Sequence, residues 1–204
     1  GHESARARGK SIGGATVTYM EGFLWDPTEA KKAFVMAAHY AHKHERAASF
    51  TLSDPFCVNR YRGEFLDLMR SGTVDIVFAN RQEALALYET DDFEEALILI
   101  AKDCKIAAVT MSENGAVILK GSERFYVDAI KIRELVDTTG AGDLFAAGFL
   151  YGYTQGRTLE DCGKLGCLAA GIVIQQIGPR PMKSLAEAGK QAAPHERELH
   201  EVAV

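Results

Sequence analysis

The chain has 204 residues, of which 47% are hydrophobic and 25% are charged, a composition typical of a globular domain with a full core. Its formal net charge is −5, and its lysines and arginines are scattered, so the sequence lacks the basic stripe that neutralises nucleic-acid phosphates. We therefore expect no nucleic-acid partner, and no membrane partner either, because no apolar run approaches the roughly 20 residues that cross a bilayer.

The cysteines match neither a zinc knuckle nor a CxxC redox pair. They are Cys57, Cys104, Cys162 and Cys167. Their spacing predicts reduced thiols in a soluble, cytoplasmic protein. Residues 1–14 have no hydrophobic stretch of the kind found in a secretory signal, and we expect them to be disordered or derived from a tag. Residues 191–204 are predicted to form a polar tail.

Short apolar runs alternate with amphipathic segments along the chain, a pattern that predicts a mostly parallel sheet covered by helices. The predicted strands are 16–23, 47–52, 74–79, 106–111, 116–121 and 124–129. A turn separates the last two, which predicts an antiparallel hairpin. A further run, 131–137, leads into a glycine-rich segment.

Helix signals fall between the strands, where parallel crossovers need them. The predicted helices are 28–45, 60–72, 91–104, 141–155 and 157–178. The last of these carries its apolar residues largely on one broad face, which indicates a helix that packs on the core. The pattern therefore predicts an α/β domain.

The glycine-rich segment DTTGAGDLFAAGFLYG, residues 137–152, places a turn directly before a helix. The backbone amides of Gly140, Ala141 and Gly142 have no large side chains in front of them, and the positive end of the helix dipole lies at the same point. This pattern predicts an anion site. Asp143 stands beside it, as a base must for phosphoryl transfer to a hydroxyl. A tight turn with an acid that complements the helix dipole is the alternative interpretation.

The longer pattern favours the first interpretation, because it resembles, position by position, the second signature of the PfkB carbohydrate kinases, also called the ribokinase family. The matching residues are Asp137, Thr138, Gly140, Ala141, Gly142, Asp143, Ala147, Gly148, Phe149 and Leu150. The resemblance implies that Asp143 is the catalytic base and that residues 140–142 form the anion hole. It also suggests that Asp137 and Thr139 hold a monovalent cation such as K⁺. The implied fold is a ribokinase-like, Rossmann-like αβα sandwich in three layers.

The stretch NRQE, Asn80 to Glu83, directly follows a predicted strand and so lies at the carboxyl end of the sheet, where ligands bind in open α/β folds. It is similar to the N-x-x-E motif of the family. The resemblance implies that Asn80 and Glu83 organise the phosphates of ATP and the water shell of Mg²⁺. An ordinary helix start explains the same residues.

The stretch TMSENG, Thr110 to Gly115, looks like the nucleotide loop of the family. The resemblance implies that Thr110, Ser112 and Gly115 lie near the phosphates and ribose, although the family more often has glycine where Ser112 stands. An ordinary hairpin turn is the alternative. By resemblance Cys167 contributes to the wall of the adenine pocket, and packing in the core is the competing explanation.

The stretch VTYMEGFLWDP, together with the glycine-rich segment, is most similar to the adenosine-kinase-like branch, and the resemblance runs from about residue 15 to about residue 181. It implies transfer of the γ-phosphoryl group of ATP to a primary hydroxyl of a nucleoside, adenosine first, or of another sugar such as a ribose or fructose derivative. A homodimer is one arrangement open to such a protein.

Family members are longer and begin with a region that carries a di-glycine motif, an acid that grips the sugar hydroxyls, and a lid. We find none of these before Ala15. We therefore expect residues 15–190 to form a partial nucleotide-binding domain, incomplete at its N-terminus, with an exposed apolar sheet edge and at best weak kinase activity alone. A non-catalytic nucleotide-binding fragment is the alternative.

Overall fold

The computed structural model describes residues 17–25, 28–131 and 140–175. Its strands are β1 (Val17–Glu21), β2 (Ala47–Thr51), β3 (Ile76–Asn80), β4 (Ile106–Thr110), β5 (Ala116–Lys120) and β6 (Glu123–Val127). Its helices are α1 (Thr28–Lys43), α2 (Pro55–Arg70), α3 (Arg81–Tyr88), α4 (Phe93–Asp103), α5 (Ala141–Thr154) and α6 (Leu159–Gln175). The predicted strand at 131–137, apart from its first residue, lies outside the described residues, as do the predicted disordered or tag-derived segment 1–14 and the predicted tail 191–204.

The six described strands form one sheet in the order β1-β2-β3-β4-β5-β6. Strands β1 to β4 pair in parallel, and the predicted hairpin of β5 and β6 is confirmed as antiparallel. Strand β5 also runs antiparallel to β4, because the tight turn between them leaves no room for a crossover helix. The mostly parallel sheet is thus a mixed one.

Helices cover both faces of the sheet, which confirms the predicted three-layer α/β fold. The alternation of side chains along β3 shows how the faces divide: Val77 packs into the core beneath α1 to α4, whereas Ile76 and Phe78 pack beneath α5 and α6. Both faces of this strand are therefore apolar, as expected for a central parallel strand buried on both sides.

Helix α2 begins at Pro55, five residues before the predicted start at residue 60. The carboxylate of Asp54 caps it by accepting a hydrogen bond from the amide of Cys57 at 2.8 Å, and proline suits the first helical position. Helices α5 and α6 pack very closely: a Cβ atom added at Gly148 would lie 2.4 Å from the carbonyl oxygen of Leu165. This contact fixes α5 against α6.

None of the helices in the described ranges combines the length and the hydropathy that a membrane crossing requires. No disulfide joins the cysteines, all of which fall within those ranges.

Candidate active site

A cleft of about 260 Å³ opens at the edge of the sheet where the parallel strands end and α5 begins. Parallel strands bring their carboxyl ends to one edge, so residues far apart in the sequence meet there. The cleft is lined by Thr51, Ser53, Phe78, Ala79, Asn80, Glu83, Ala108, Thr110, Gly140, Gly142, Asp143 and Phe145. Asn80, Glu83 and Asp143, predicted for phosphate, magnesium and proton transfer, therefore share one cleft.

The start of α3 is closed by a capping box. The side chain of Asn80 accepts a hydrogen bond from the amide of Glu83 at 2.8 Å, and the Glu83 carboxylate accepts one from the amide of Asn80 at 3.0 Å. These reciprocal bonds satisfy backbone donors at the helix start and hold both side chains in place.

Glu83 is only 5% exposed, although it lines the cleft. Burial raises its pKa to about 7, and the negative charges of Asp54 and Asp143 act in the same direction, against the hydrogen bond from Asn80. Glu83 thus changes its charge near neutral pH.

The start of α5 differs from that of α3. Gly140 adopts a left-handed conformation with φ of 81°, and no side chain of the described residues caps the helix. A Cβ atom added at Gly140 or Gly142 would meet no atom of the described residues within 4 Å. The first turn of α5 is therefore accessible from the cleft, with the backbone amides of a helix start at its surface.

Asp143 is an exposed acid in this first turn, and its Oδ1 atom accepts a hydrogen bond from the hydroxyl of Tyr19 at 3.1 Å. Burial, together with the charge of Asp143, raises the pKa of the Tyr19 phenol well above its ordinary value, so the phenol stays protonated and donates. Burial and Asp143 also raise the pKa of Glu21, which shares β1 with Tyr19.

Three predicted nucleotide residues lie away from the lining of the cleft. Ser112 is exposed in the turn between β4 and β5, with φ of 51°. Gly115 closes the same turn with φ of 83°, and a Cβ atom there would lie 1.8 Å from the carbonyl oxygen of Val127, so packing alone requires glycine. Cys167, a residue of α6, is 8% exposed and packs into the core, where burial raises the pKa of its thiol to about 11. Their nucleotide contacts stay predictions.

Of the other predicted site residues, two lie at the cleft and two lie outside the described residues. Thr110 ends β4 and lines the cleft, and Ala141 is the first residue of α5, between the two cleft glycines. Asp137 and Thr139, predicted for a monovalent cation, lie outside the described residues.

Sequence reasoning assigned no role to Tyr19, Glu21, Thr51 or Ser53. Thr51 and Ser53 could have been found, because they end β2 or follow it, and ligands bind beyond the carboxyl ends of parallel strands. Glu21 carries the same signal, because it ends β1 beside Thr51, whereas Tyr19 lies in the middle of that strand and carries none.

No group of three or more histidines, cysteines or acids that could hold a metal ion occurs in the part of the chain that the structure describes. The carboxylate of Glu83 and the side-chain amide of Asn80 both line the cleft. This donor set fits Mg²⁺, which keeps several waters and takes few protein carboxylates when phosphates supply its other ligands.

Comparison with known proteins identifies the family of the chain. The family model described as pfkB family carbohydrate kinase matches residues 3–185. The chain therefore belongs to the pfkB carbohydrate kinase family.

Individual relatives are named as kinases of sugars or nucleosides. A probable sugar kinase from Rhizobium etli is 80% identical in a solved structure, with a TM-score of 0.84 over 87% of this chain and 54% of that one. The adenosine kinase from Sinorhizobium meliloti is 68% identical, with a TM-score of 0.83 over the same shares. The cytidine kinase of Thermococcus kodakarensis is 41% identical over 125 residues, 58% of this chain and 45% of the relative. The chain spans about half the length of the curated relatives it matches.

Proposed function

We propose that the protein is an ATP-dependent kinase that transfers the γ-phosphoryl group to a primary hydroxyl of a nucleoside, with adenosine the first candidate. One observation carries the proposal: the acid Asp143 stands at the start of α5, which no described side chain caps, in the same cleft as Asn80 and Glu83. An acid beside exposed helix amides suits proton removal from an attacking hydroxyl at a site of phosphate charge.

In the proposed reaction, Asp143 accepts the proton of the acceptor hydroxyl as its oxygen forms a bond to the γ-phosphorus. The bond from the γ-phosphorus to the bridging oxygen breaks, and ADP leaves with that electron pair. The amides of Gly140, Ala141 and Gly142, with the dipole of α5, stabilise the charge on the transferring group. Asp143 then carries the proton, which it releases to water.

Other residues bind and orient the nucleotide in this proposal. Asn80 holds phosphate oxygens and Glu83 holds waters of Mg²⁺, which neutralises phosphate charge when it is bound. Thr110, Ser112 and Gly115 lie along the phosphates and ribose, and Cys167 backs the adenine. We further propose that Asp137 and Thr139 hold a monovalent cation such as K⁺.

The names of the relatives support a nucleoside acceptor without agreeing on one. The Sinorhizobium relative is called an adenosine kinase, the Thermococcus relative a cytidine kinase and the Rhizobium relative a probable sugar kinase. Adenosine comes first because the relative of that name is 68% identical. Ribose or a fructose derivative is the second choice.

We propose that the protein resides in the cytoplasm, where its thiols would stay reduced, and a homodimer is one arrangement open to it. Centrifugation of the purified protein tests the dimer, and fractionation of cells tests the location. A non-catalytic nucleotide-binding protein is the alternative function, and it predicts ATP binding without phosphorylation of any acceptor.

The test compares the parent with the Asp143→Asn variant on adenosine, cytidine, ribose and fructose 6-phosphate, in the gene product that carries these residues. We expect the kcat of the variant to fall at least about 100-fold, because general base catalysis supplies that much or more. The affinity for ATP should stay close to that of the parent.

Asp161→Asn is the matched control, because Asp161 is the third residue of α6 just as Asp143 is the third residue of α5. It should leave the kcat unchanged. An Asp143→Asn variant as active as the control contradicts the role of the base. A parent that binds ATP but phosphorylates no acceptor contradicts the kinase itself.

A further inference from the structure

The hydrogen bond between Tyr19 and Asp143 joins two elements that are remote in the sequence. Tyr19 is the third residue of β1, and Asp143 is the third residue of α5, 124 positions further along the chain. The phenol donates to Oδ1 over 3.1 Å. The carboxylate that we propose as the base is therefore tied to the sheet as well as to its own helix.

Aromatic packing fixes the Tyr19 ring between the sheet and α5. The ring lies edge-on to Phe78, with centroids 6.2 Å apart. Phe78 in turn packs edge-on against Phe145 and Phe149 of α5, with centroids 6.4 Å and 5.3 Å apart. Such edge-to-face contacts restrict the orientation of each ring. Because Phe145 follows Asp143 by only two residues, the same packing also fixes the backbone that carries the acid.

The side chain of Thr51, at the end of β2, lies near enough to the Tyr19 hydroxyl to act on the pKa of the phenol, which it lowers. The amide of Ser53 donates to the Thr51 hydroxyl at 3.4 Å. The loop after β2 is thus linked to Thr51, a neighbour of the hydroxyl that donates to Asp143.

A carboxylate has two oxygens, and the phenol contacts one of them. With Oδ1 bound by Tyr19, rotation of the Asp143 side chain is restricted, and Oδ2 is left to receive a proton. A base held in one orientation reacts faster than one that rotates freely, since it spends more of its time aligned with the hydroxyl.

We infer that Tyr19 is a positioning residue for Asp143: its hydroxyl binds Oδ1 and so aims Oδ2 at the acceptor hydroxyl. This inference rests on the proposed function. It adds a residue of β1, which the glycine-rich segment does not contain, to the groups on which proton transfer depends.

The test uses Tyr19→Phe, which removes the hydroxyl and keeps the ring on Phe78. In the gene product that carries these residues, we expect kcat to fall roughly 10- to 100-fold, with the KM values for ATP and acceptor within about twofold of the parent, because alignment and not binding is lost. A merely structural role would lower the melting temperature and alter KM instead. Tyr40→Phe, at an exposed position of α1, is the matched control and should match the parent.

A double-mutant cycle sharpens the test. If Tyr19 acts through Asp143, Tyr19→Phe should have no further effect on the residual rate of the Asp143→Asn variant. The bond itself is checked without activity, by the NMR signal of the ¹³C-labelled Tyr19 ring carbon that bears oxygen. This signal should shift in the Asp143→Asn variant and stay in place in the Asp161→Asn control.

The outcomes separate the two proposals. An active parent whose Tyr19→Phe variant keeps the parental kcat overturns this inference alone. An equal loss of kcat in both backgrounds also overturns it, because Tyr19 would then act independently of Asp143. A parent that phosphorylates no acceptor overturns the proposed function together with the inference built on it.

Discussion

Helices α3 and α5 both begin at the cleft, but their first turns are built differently. In α3 the side chains of Asn80 and Glu83 satisfy the backbone donors at the start of the helix. In α5 the corresponding position is Gly140, in a left-handed conformation, and no described side chain caps the turn. One start is closed by its own residues, and the other is open to the cleft.

The first backbone amides of α3 therefore serve the structure of the helix, whereas those of α5 are available to bind a ligand. A helix start leaves its first amides without intrahelical partners, and these are satisfied by a cap, by water or by a ligand. At a capped start the backbone amides already have hydrogen-bond partners, so a ligand can contact only the side chains there. An open start offers amides and the positive end of the dipole, which attract an anion.

The largest expected effect comes from placing a negative charge at each start. Gly142→Glu and Gln82→Glu both introduce a carboxylate at the second position of a helix, in α5 and in α3 respectively. If the phosphates bind at α5, repulsion should weaken ATP binding about 100-fold in Gly142→Glu, since two charges a few ångströms apart near a surface interact by several kcal/mol. Gln82→Glu should weaken it much less. Calorimetric titration with ATP measures both.

The folded state should tolerate both variants. Gln82 is exposed, and a Cβ atom at Gly142 meets no atom of the described residues within 4 Å. An acid in the first turn also complements the helix dipole. Equal losses of ATP affinity would mean that the open start of α5 has no special role in phosphate binding.

Because Glu83 is buried in the cap of α3, we expect the stability of the protein to depend on pH. Its pKa is about 7 in the folded chain, against an ordinary value of 4.5, so the folded state binds more protons between these values. The free energy of unfolding should therefore fall as the pH rises from about 4.5 to about 7, by on the order of 3 kcal/mol from this group.

Glu83→Gln removes the titration and keeps a side-chain oxygen for the cap. Denaturant unfolding across this pH range should show a flatter profile for the variant than for the parent. Glu123→Gln, at an exposed position of β6, is the control and should keep the parental profile. Parallel profiles for the parent and Glu83→Gln would show that Glu83 does not titrate there.

Much of the fold could be predicted from the sequence because it follows from local patterns. The runs around Val77 and Val109 are apolar on both faces, a pattern that by itself indicates central parallel strands. The antiparallel pairing of β4 with β5 was not predicted. It depends on a turn in which Ser112 and Gly115 take positive φ, and that local geometry is not written in hydrophobic periodicity.

In the candidate site, too, residues in local motifs could be predicted and contacts that depend on packing could not. Asp143 and Asn80 stand in motifs whose spacing carries chemical meaning, and both line the cleft. The contact of Tyr19 with Asp143 could not be predicted, since it depends on how β1 and α5 pack across the sheet. For Gly115, a packing constraint from Val127 accounts for the glycine without reference to a nucleotide.

The smallest effect distinguishes the two uses of Asn80. Asn80→Ala removes the cap of α3 and should lower the free energy of unfolding by about 1 kcal/mol, whereas Asn80→Asp keeps an acceptor and most of the stability. If Asn80 also contacts phosphate, Asn80→Asp should nevertheless weaken ATP binding, because it places a negative charge next to the phosphates.

Asp92→Ala is the control. It removes the cap of α4, which accepts hydrogen bonds from the amides of Glu94 and Glu95, and should cost similar stability without affecting ATP binding. Chemical denaturation and ATP titration of these variants measure both effects. Unchanged ATP affinity in Asn80→Asp would restrict Asn80 to its capping role.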